Sequence, residues 1–290
     1  MRETSDSLVL NGYEHCRRLH RRRDPTYYWA TKRLRDDLRP AVHALYAFAR
    51  VVDDLVDGSR RAADPAARRA ALDDYERRFN DALAGEPTRD PVLAALADSG
   101  RRHDLPLTEL GLYFGSMRRD CGPVRIATWT ELERYMDGSV GAVARILAVL
   151  IGAPEERRES FTRLAYAFQL TNFIRDVRED WELDRVYLPG EDLERFGVSV
   201  DEIASGRPTE GFRRLLALEV ERARALFREG EAASAVVTPD VQRGLRLARS
   251  VYLRTLDRAE RLRFDVLGHR AGLPPWELAG AVASALRAGA

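Results

Sequence analysis

The sequence has little of what a stapled, zinc-clipped or membrane-embedded protein is made from. Only two cysteines occur in 290 residues, Cys16 and Cys121. They lie far apart without a zinc-type spacing, so they read as small buried thiols in a reducing compartment. Lysine occurs once, at Lys32, and arginine supplies the rest of the 47 basic residues, which 46 acidic ones offset to a net charge of +1. That balance excludes the one-sided basic surface that nucleic acid requires, so no nucleic-acid partner is expected. Long hydrophobic runs are missing too: the most apolar stretch, residues 142–153, is interrupted by Arg145 and is too short to span a bilayer. The opening MRETSDSLVLNGYEH lacks the basic-then-apolar order of a signal peptide. A cytoplasmic protein is expected, with at most peripheral membrane association. Repeats at a fixed period, low-complexity tracts and period-two stretches are also wanting, which argues against solenoids, tails and sheets.

What is present is helical periodicity, with 45% hydrophobic residues to form a core. The reading is all-α, one domain over residues 1–290. Residues 8–20 form an amphipathic helix, and Asp24-Pro25-Thr26 starts another turn that carries Tyr27, Tyr28 and Trp29. Asp37 to Pro40 reads as an acidic cap and first-turn proline for a helix ending at Gly58. Asp64-Pro65 opens a helix to Leu83, residues 85–91 form a loop, and residues 107–119 are helical again. A helix from Thr128 or Thr130 to Leu150 carries Gly138, Ser139, Gly141, Ala142 and Ala144, small residues that permit close packing or line a tunnel. Pro154 starts a helix that must end before Pro189. A polar stretch, residues 190–208, precedes long helices at 212–229 and 241–265 and a short closing helix after Pro275.

Two of these helices carry acids in register. Asp53 and Asp57, with Asp54 beside them, form one set, and Asn172, Asp176 and Asp180 form another; spacing of four puts each set on one helical face. Like charges at that spacing repel, more so where water is scarce. Surface ion pairs such as Asp57 with Arg61, or Glu179 with Arg175, would explain one set alone. Two sets, each on an aliphatic-rich helix and joined by Arg50, Gln169 and Asn172, point to a missing cation. Hard oxygen donors without His or Cys favour Mg²⁺, which takes one or two carboxylates together with phosphate oxygens. Nearby arginines would hold the rest of a diphosphate. The chemistry this favours is pyrophosphate loss into a dry apolar cavity.

These residues resemble a known family. DDLVD (53–57) preceded by ALYAFAR (44–50), AFQLTNFIRDVRED (167–180), DRVYLP (184–189), YMDGS (135–139) and VYLRTLDRAERLRFDVLGHRA (251–271) are together similar to the squalene and phytoene synthases, a likeness running from about Tyr13 to Pro274. The resemblance implies an all-α isoprenoid-synthase helical bundle with a central tunnel, in which two acidic helices bind Mg²⁺ and an isoprenyl diphosphate. It implies Asp53, Asp54, Asp57, Asn172, Asp176 and Asp180 as metal ligands. Arg50, Arg175, Thr26 and Tyr252 are implied at the diphosphate, and Tyr46 and Gln169, with the two arginines, at the reacting end. The implied reaction is head-to-head: one allylic diphosphate ionises, the second attacks to give a cyclopropylcarbinyl diphosphate, and rearrangement yields phytoene-type products, or squalene where NADPH reduces.

The sequence departs from the family pattern in three places. Arg23 stands where a histidine is usual, Leu34-Arg35 replaces Leu-Pro, and Asp184 takes the place of a glycine before Arg185. The first change falls in the region that helps to hold a second diphosphate, so two acceptors stay open: a second geranylgeranyl diphosphate, or an aromatic ring of the carbazole or indole type. Arg145 either faces inward and polarises the tunnel or points to the rim. A non-catalytic helical partner subunit is the remaining alternative, opposed by the intact acids.

Overall fold

The computed structural model describes residues 2–59, 61–274, 276–278 and 280, with side chains from residue 7 onward except at positions 26, 30 and 240. It is helical almost throughout, as the periodicity requires. The first helices are α1 (Arg2–Arg23), α2 (Pro25–Thr31), α3 (Arg39–Val56), α4 (Pro65–Leu83), α5 (Pro91–His103) and α6 (Leu110–Asp120), the last entered through a 3-10 turn. Then come α7 (Trp129–Met136), α8 (Ala142–Leu150), α9 (Glu155–Arg175) and α10 (Val177–Glu182). The remainder are α11 (Gly190–Phe196), α12 (Val200–Ser205), α13 (Glu210–Glu229) and α14 (Pro239–Arg261). Two strands of two residues, β1 (Val124–Arg125) and β2 (Arg185–Val186), pair in parallel with Val124 opposite Arg185.

Local chemistry sets most boundaries. Asp64 and Asp90 cap α4 and α5 by accepting from the backbone N–H of Ala66 and Ala67, and of Val92 and Leu93, each with a proline next in line. Thr128, Ser199 and Thr209 cap α7, α12 and α13 in the same way. The cap expected at Asp37 is not made: Arg35 takes the Asp37 carboxylate, and Leu38 is the N-cap residue without a side-chain bond. The helix expected from Thr128 to Leu150 is interrupted by a π-turn at Asp137–Gly141, where the crowded small residues sit. The polar stretch 190–208 is not a loop, since α11 and α12 form in it, each stopped by a glycine in the left-handed region. The closing helix expected after Pro275 falls largely outside the described residues.

Contacts divide the chain into two compact units, Met1–Cys121 with Ala142–Pro154, and Gly122–Gly141 with Glu155–Ala290. The first is centred on Phe48 of α3, which is fully buried and rings itself with Phe79, Phe114, Tyr75 and Tyr113 at centroid distances of 5.2–6.1 Å. Truncating such a ring costs about 3–5 kcal/mol. In the second unit α9 packs on α13, and Gly230 at the end of α13 allows the approach, because a Cβ there would lie 2.8 Å from the Leu164 Cβ.

One polar cluster is locked inside the second unit. Glu219 of α13 is fully buried, and Arg222 joins it to Asp192 of α11 while lying 4.5 Å over the Trp129 ring. Glu219 Oε2 has no hydrogen-bond partner. Burial pushes this carboxyl up to about 7, the Asp192 charge adding to the effect and Arg222 opposing it. Because the folded chain holds the proton more tightly than the unfolded chain, the stabilisation is complete below about pH 4.5 and is lost as pH rises to about 7. The loss is on the order of 3 kcal/mol. Glu219→Gln lacks this dependence, so between pH 5 and pH 8 its melting temperature gains on the wild type by roughly 5 °C. Thermal denaturation at the two pH values reads the difference, and parallel curves would refute the assignment.

Candidate active site

The first acidic set ends α3. Asp53 is half-buried and accepts a 3.1 Å hydrogen bond from the Tyr113 hydroxyl of α6. Burial pushes the Asp53 carboxyl up, opposed by the Tyr113 bond and the Arg50 charge and reinforced by Asp57 and Asp54. Burial and the Asp53 charge hold the Tyr113 hydroxyl far above its ordinary value, so it remains a donor. Asp54 is clasped by Arg50 Nη2 at 2.6 Å and by Arg23 Nη2 at 3.1 Å. Arg50 Nε is buried without a partner. Asp57, one residue past the helix, is exposed; its backbone N–H donates to the Asp53 carbonyl at 2.7 Å, which keeps it one turn from Asp53. Arg61 donates to the Asp57 backbone carbonyl at 3.1 Å. Tyr46 lies one turn before Arg50, half-buried, its hydroxyl pushed up by burial and by Asp24.

The second set does not lie on one continuous helix. Helix α9 stops at Arg175, and Asp176 is the N-cap of α10, though its carboxylate caps nothing because Arg175 Nε and Nη2 hold it at 2.7 and 2.5 Å. The spacing survives the break: the N–H groups of Asp176 and Asp180 reach the carbonyls of Asn172 and Asp176 at 2.8 Å. Gln169 is half-buried one turn earlier on α9. Asn172 Oδ1 is buried with no donor. Tyr252 of α14 meets the Phe168 ring at 4.5 Å, and the Thr26 side chain lies outside the described residues. A cleft of about 280 Å³ opens beside this set, lined by Arg175, Asp176, Glu179, Arg270, Ala271 and Gly272. Arg270, 91% exposed and 3.7 Å from Glu179, lies in the family-like segment 251–271 but carries no motif of its own. Tyr113 was hidden likewise, since its periodicity spoke only of core.

Two residues singled out by the sequence find local partners. Arg145 Nε and Nη2 hold Glu109 Oε2 at 2.9 and 2.8 Å at a partly exposed position. Asp184 sits at φ +61°, the left-handed region that explains a glycine there. Its carboxylate compensates by accepting from Arg125 Nη2 at 2.5 Å, while Arg125 Nη1 reaches the Asp184 carbonyl at 2.7 Å.

Oxygen-only donors, an orphaned Asn172 Oδ1 and a half-buried Asp53 fit a hard divalent cation. Among the described residues no three acids, cysteines or histidines form a group that could hold a metal ion. Mg²⁺ does not need one, because it ordinarily keeps water and takes phosphate oxygens beside one or two carboxylates.

A family model described as squalene/phytoene synthase matches residues 20–277. The chain belongs to the squalene/phytoene synthase family. Phytoene synthase of Thermus thermophilus is 35% identical over 262 residues, 90% of this chain and 88% of that protein. The 15-cis-phytoene synthase of a Synechocystis strain is 31% identical over 279 residues, 92% of this chain and 82% of that one. Among solved structures, squalene synthase HpnC from Alicyclobacillus acidocaldarius superposes with a TM-score of 0.81 at 35% identity, covering 88% of this chain and 95% of its own. A dehydrosqualene synthase, at 23% identity, TM-score 0.85 and 98% coverage of both chains, shares the fold. This squalene/phytoene synthase family member is thus an all-α isoprenoid synthase of the prenyltransferase class.

Replacing Asp184 separates its two effects. Asp184→Ala keeps the left-handed cost and loses the Arg125 contact, whereas Asp184→Gly loses the contact but removes the cost. The glycine variant is expected to be more stable than the alanine variant by about 1 kcal/mol in denaturant unfolding.

Proposed function

We propose that this enzyme joins two molecules of geranylgeranyl diphosphate head to head to give phytoene, with Mg²⁺ as cofactor. The observation that carries the reading is the 35% identity with a phytoene synthase along 90% of the chain. Asp53, Asp54, Asp57, Asn172, Asp176 and Asp180 are the groups that hold Mg²⁺. When bound it supplies positive charge to the departing diphosphate oxygens. Arg50 and Arg175 each hold a neighbouring carboxylate through two-point or short contacts. As those carboxylates take other partners, the two guanidiniums turn to the diphosphate, assisted by Thr26 and Tyr252, and fix the leaving group before ionisation. Tyr46 and Gln169 flank the reacting carbons. In the second unit Phe173, Tyr135 and Tyr187 stack at 4.1–6.0 Å and give an apolar wall that excludes water from a carbocation. A squalene-type product from farnesyl diphosphate is the second reading, favoured by the equal 35% identity with squalene synthase HpnC.

Product analysis with Mg²⁺ and each diphosphate separates them. A hydrocarbon made only from geranylgeranyl diphosphate supports the first reading and one made only from farnesyl diphosphate the second. Pyrophosphate release that needs an added carbazole or indole would replace both with aromatic prenylation. Asp53→Asn and Asp176→Asn are each expected to lower turnover by about 10³-fold, with far-ultraviolet dichroism unchanged. Near-normal rates in either variant would overturn the ligand assignment.

A further inference from the structure

Five rings from three helices gather beside Arg50. His20, in the last turn of α1, is fully buried and stacks on Tyr46 of α3 with centroids 3.9 Å apart and planes 11° apart. His20 Nδ1 lies 2.9 Å from Nδ1 of His43, one turn earlier on α3, with the two rings at 77°. His43, 5% exposed, stacks in turn on Tyr28 of α2 at 5.4 Å and 21°. Tyr28 accepts from Arg17 Nη1 at 3.2 Å, and Tyr27 meets the His20 ring at a tilt, with centroids 4.9 Å apart.

Two imidazole nitrogens approach to 2.9 Å only when one carries a proton and the other a lone pair, so the pair shares one proton and each ring is fixed in a complementary tautomer. Both rings are neutral: burial pushes His20 down to about 3 and His43 to about 4, the latter helped by Arg17 and Arg39. His20 Nε2 has neither partner nor solvent. Rotating the His20 ring about its Cβ–Cγ bond would therefore lose this hydrogen bond, and the Nδ1 contact fixes the plane in which the ring lies against Tyr46. Neither histidine is needed to fill space with a polar ring; a leucine or phenylalanine would do that without an orphaned nitrogen.

We propose that His20 and His43 form a positioning dyad for Tyr46, holding its ring at the fixed distance from Arg50 and Asp53 at which it can face the ionising carbon. The proposal rests on the place given to Tyr46 in the function above. A displaced ring lowers the rate of the chemical step more than it lowers binding, because a 1 Å misplacement costs up to about 10²-fold.

His20→Phe keeps the stack and deletes the Nδ1 contact; His43→Leu deletes it from the other side; His43→Asn restores a hydrogen-bonding group close to the Nδ1 position. Turnover is expected to fall about 10-fold in the first two, with KM for the diphosphate changed less than about three-fold, and to recover in His43→Asn. A second reading needs no turnover: the near-ultraviolet dichroism that Tyr46→Phe removes from the wild type should also vanish in His43→Leu and return in His43→Asn. Wild-type kcat and dichroism in folded His20→Phe and His43→Leu would overturn the proposal, as would a His43→Asn no better than His43→Leu. The function above fails separately, if Asp53→Asn retains turnover.

Discussion

Charge withheld from water is the constraint around which this molecule is arranged. A carboxylate on an apolar helix is costly unless a donor or a cation meets it, and four acids of this chain meet that cost in different ways. Asp53 takes a phenol hydroxyl, Asp54 two guanidiniums, Asp176 the arginine beside it in sequence, and Glu219 an arginine that it must share with Asp192. Arg50 Nε, Asn172 Oδ1 and Glu219 Oε2 are each buried without a partner. The first two orphans fall on the two acidic sets. The third falls in a closed part of the fold and makes stability answer to pH instead.

Much of the architecture was legible because its signals are local. Proline after aspartate marks the start of α4, and the four-residue spacing of the acids is kept in both sets. What was not legible depended on competition between neighbours. Asp37 looked like a cap, yet Arg35 is two residues away and its forked guanidinium takes the carboxylate with two hydrogen bonds. The second acidic helix read as continuous, but α9 ends at Arg175 and α10 starts at Val177, with the Asp176 carboxylate between them held by Arg175. Periodicity cannot weigh a side-chain ion pair against a helical hydrogen bond.

Site residues supplied by distant parts of the chain were harder still. Tyr113 is separated from Asp53 by 60 positions and carries no motif of its own. The aromatic cluster of α2 carries no motif either: Tyr28 packs on a histidine that is bonded to a second histidine. Departures from the family pattern proved informative where a local conformation explains them. Asp184 adopts a backbone that suits glycine and is retained with a carboxylate that ties β1 to β2.

The arginine-only clasp around Asp54 has one more implication. A guanidinium does not release its proton under any condition in which a protein stays folded. The positive jaws at Arg23 and Arg50 are therefore permanent. Mild alkalinity leaves that grip untouched while it strains the buried glutamate in α13, so an alkaline shift tests the endurance of the scaffold without altering the jaws of this clasp.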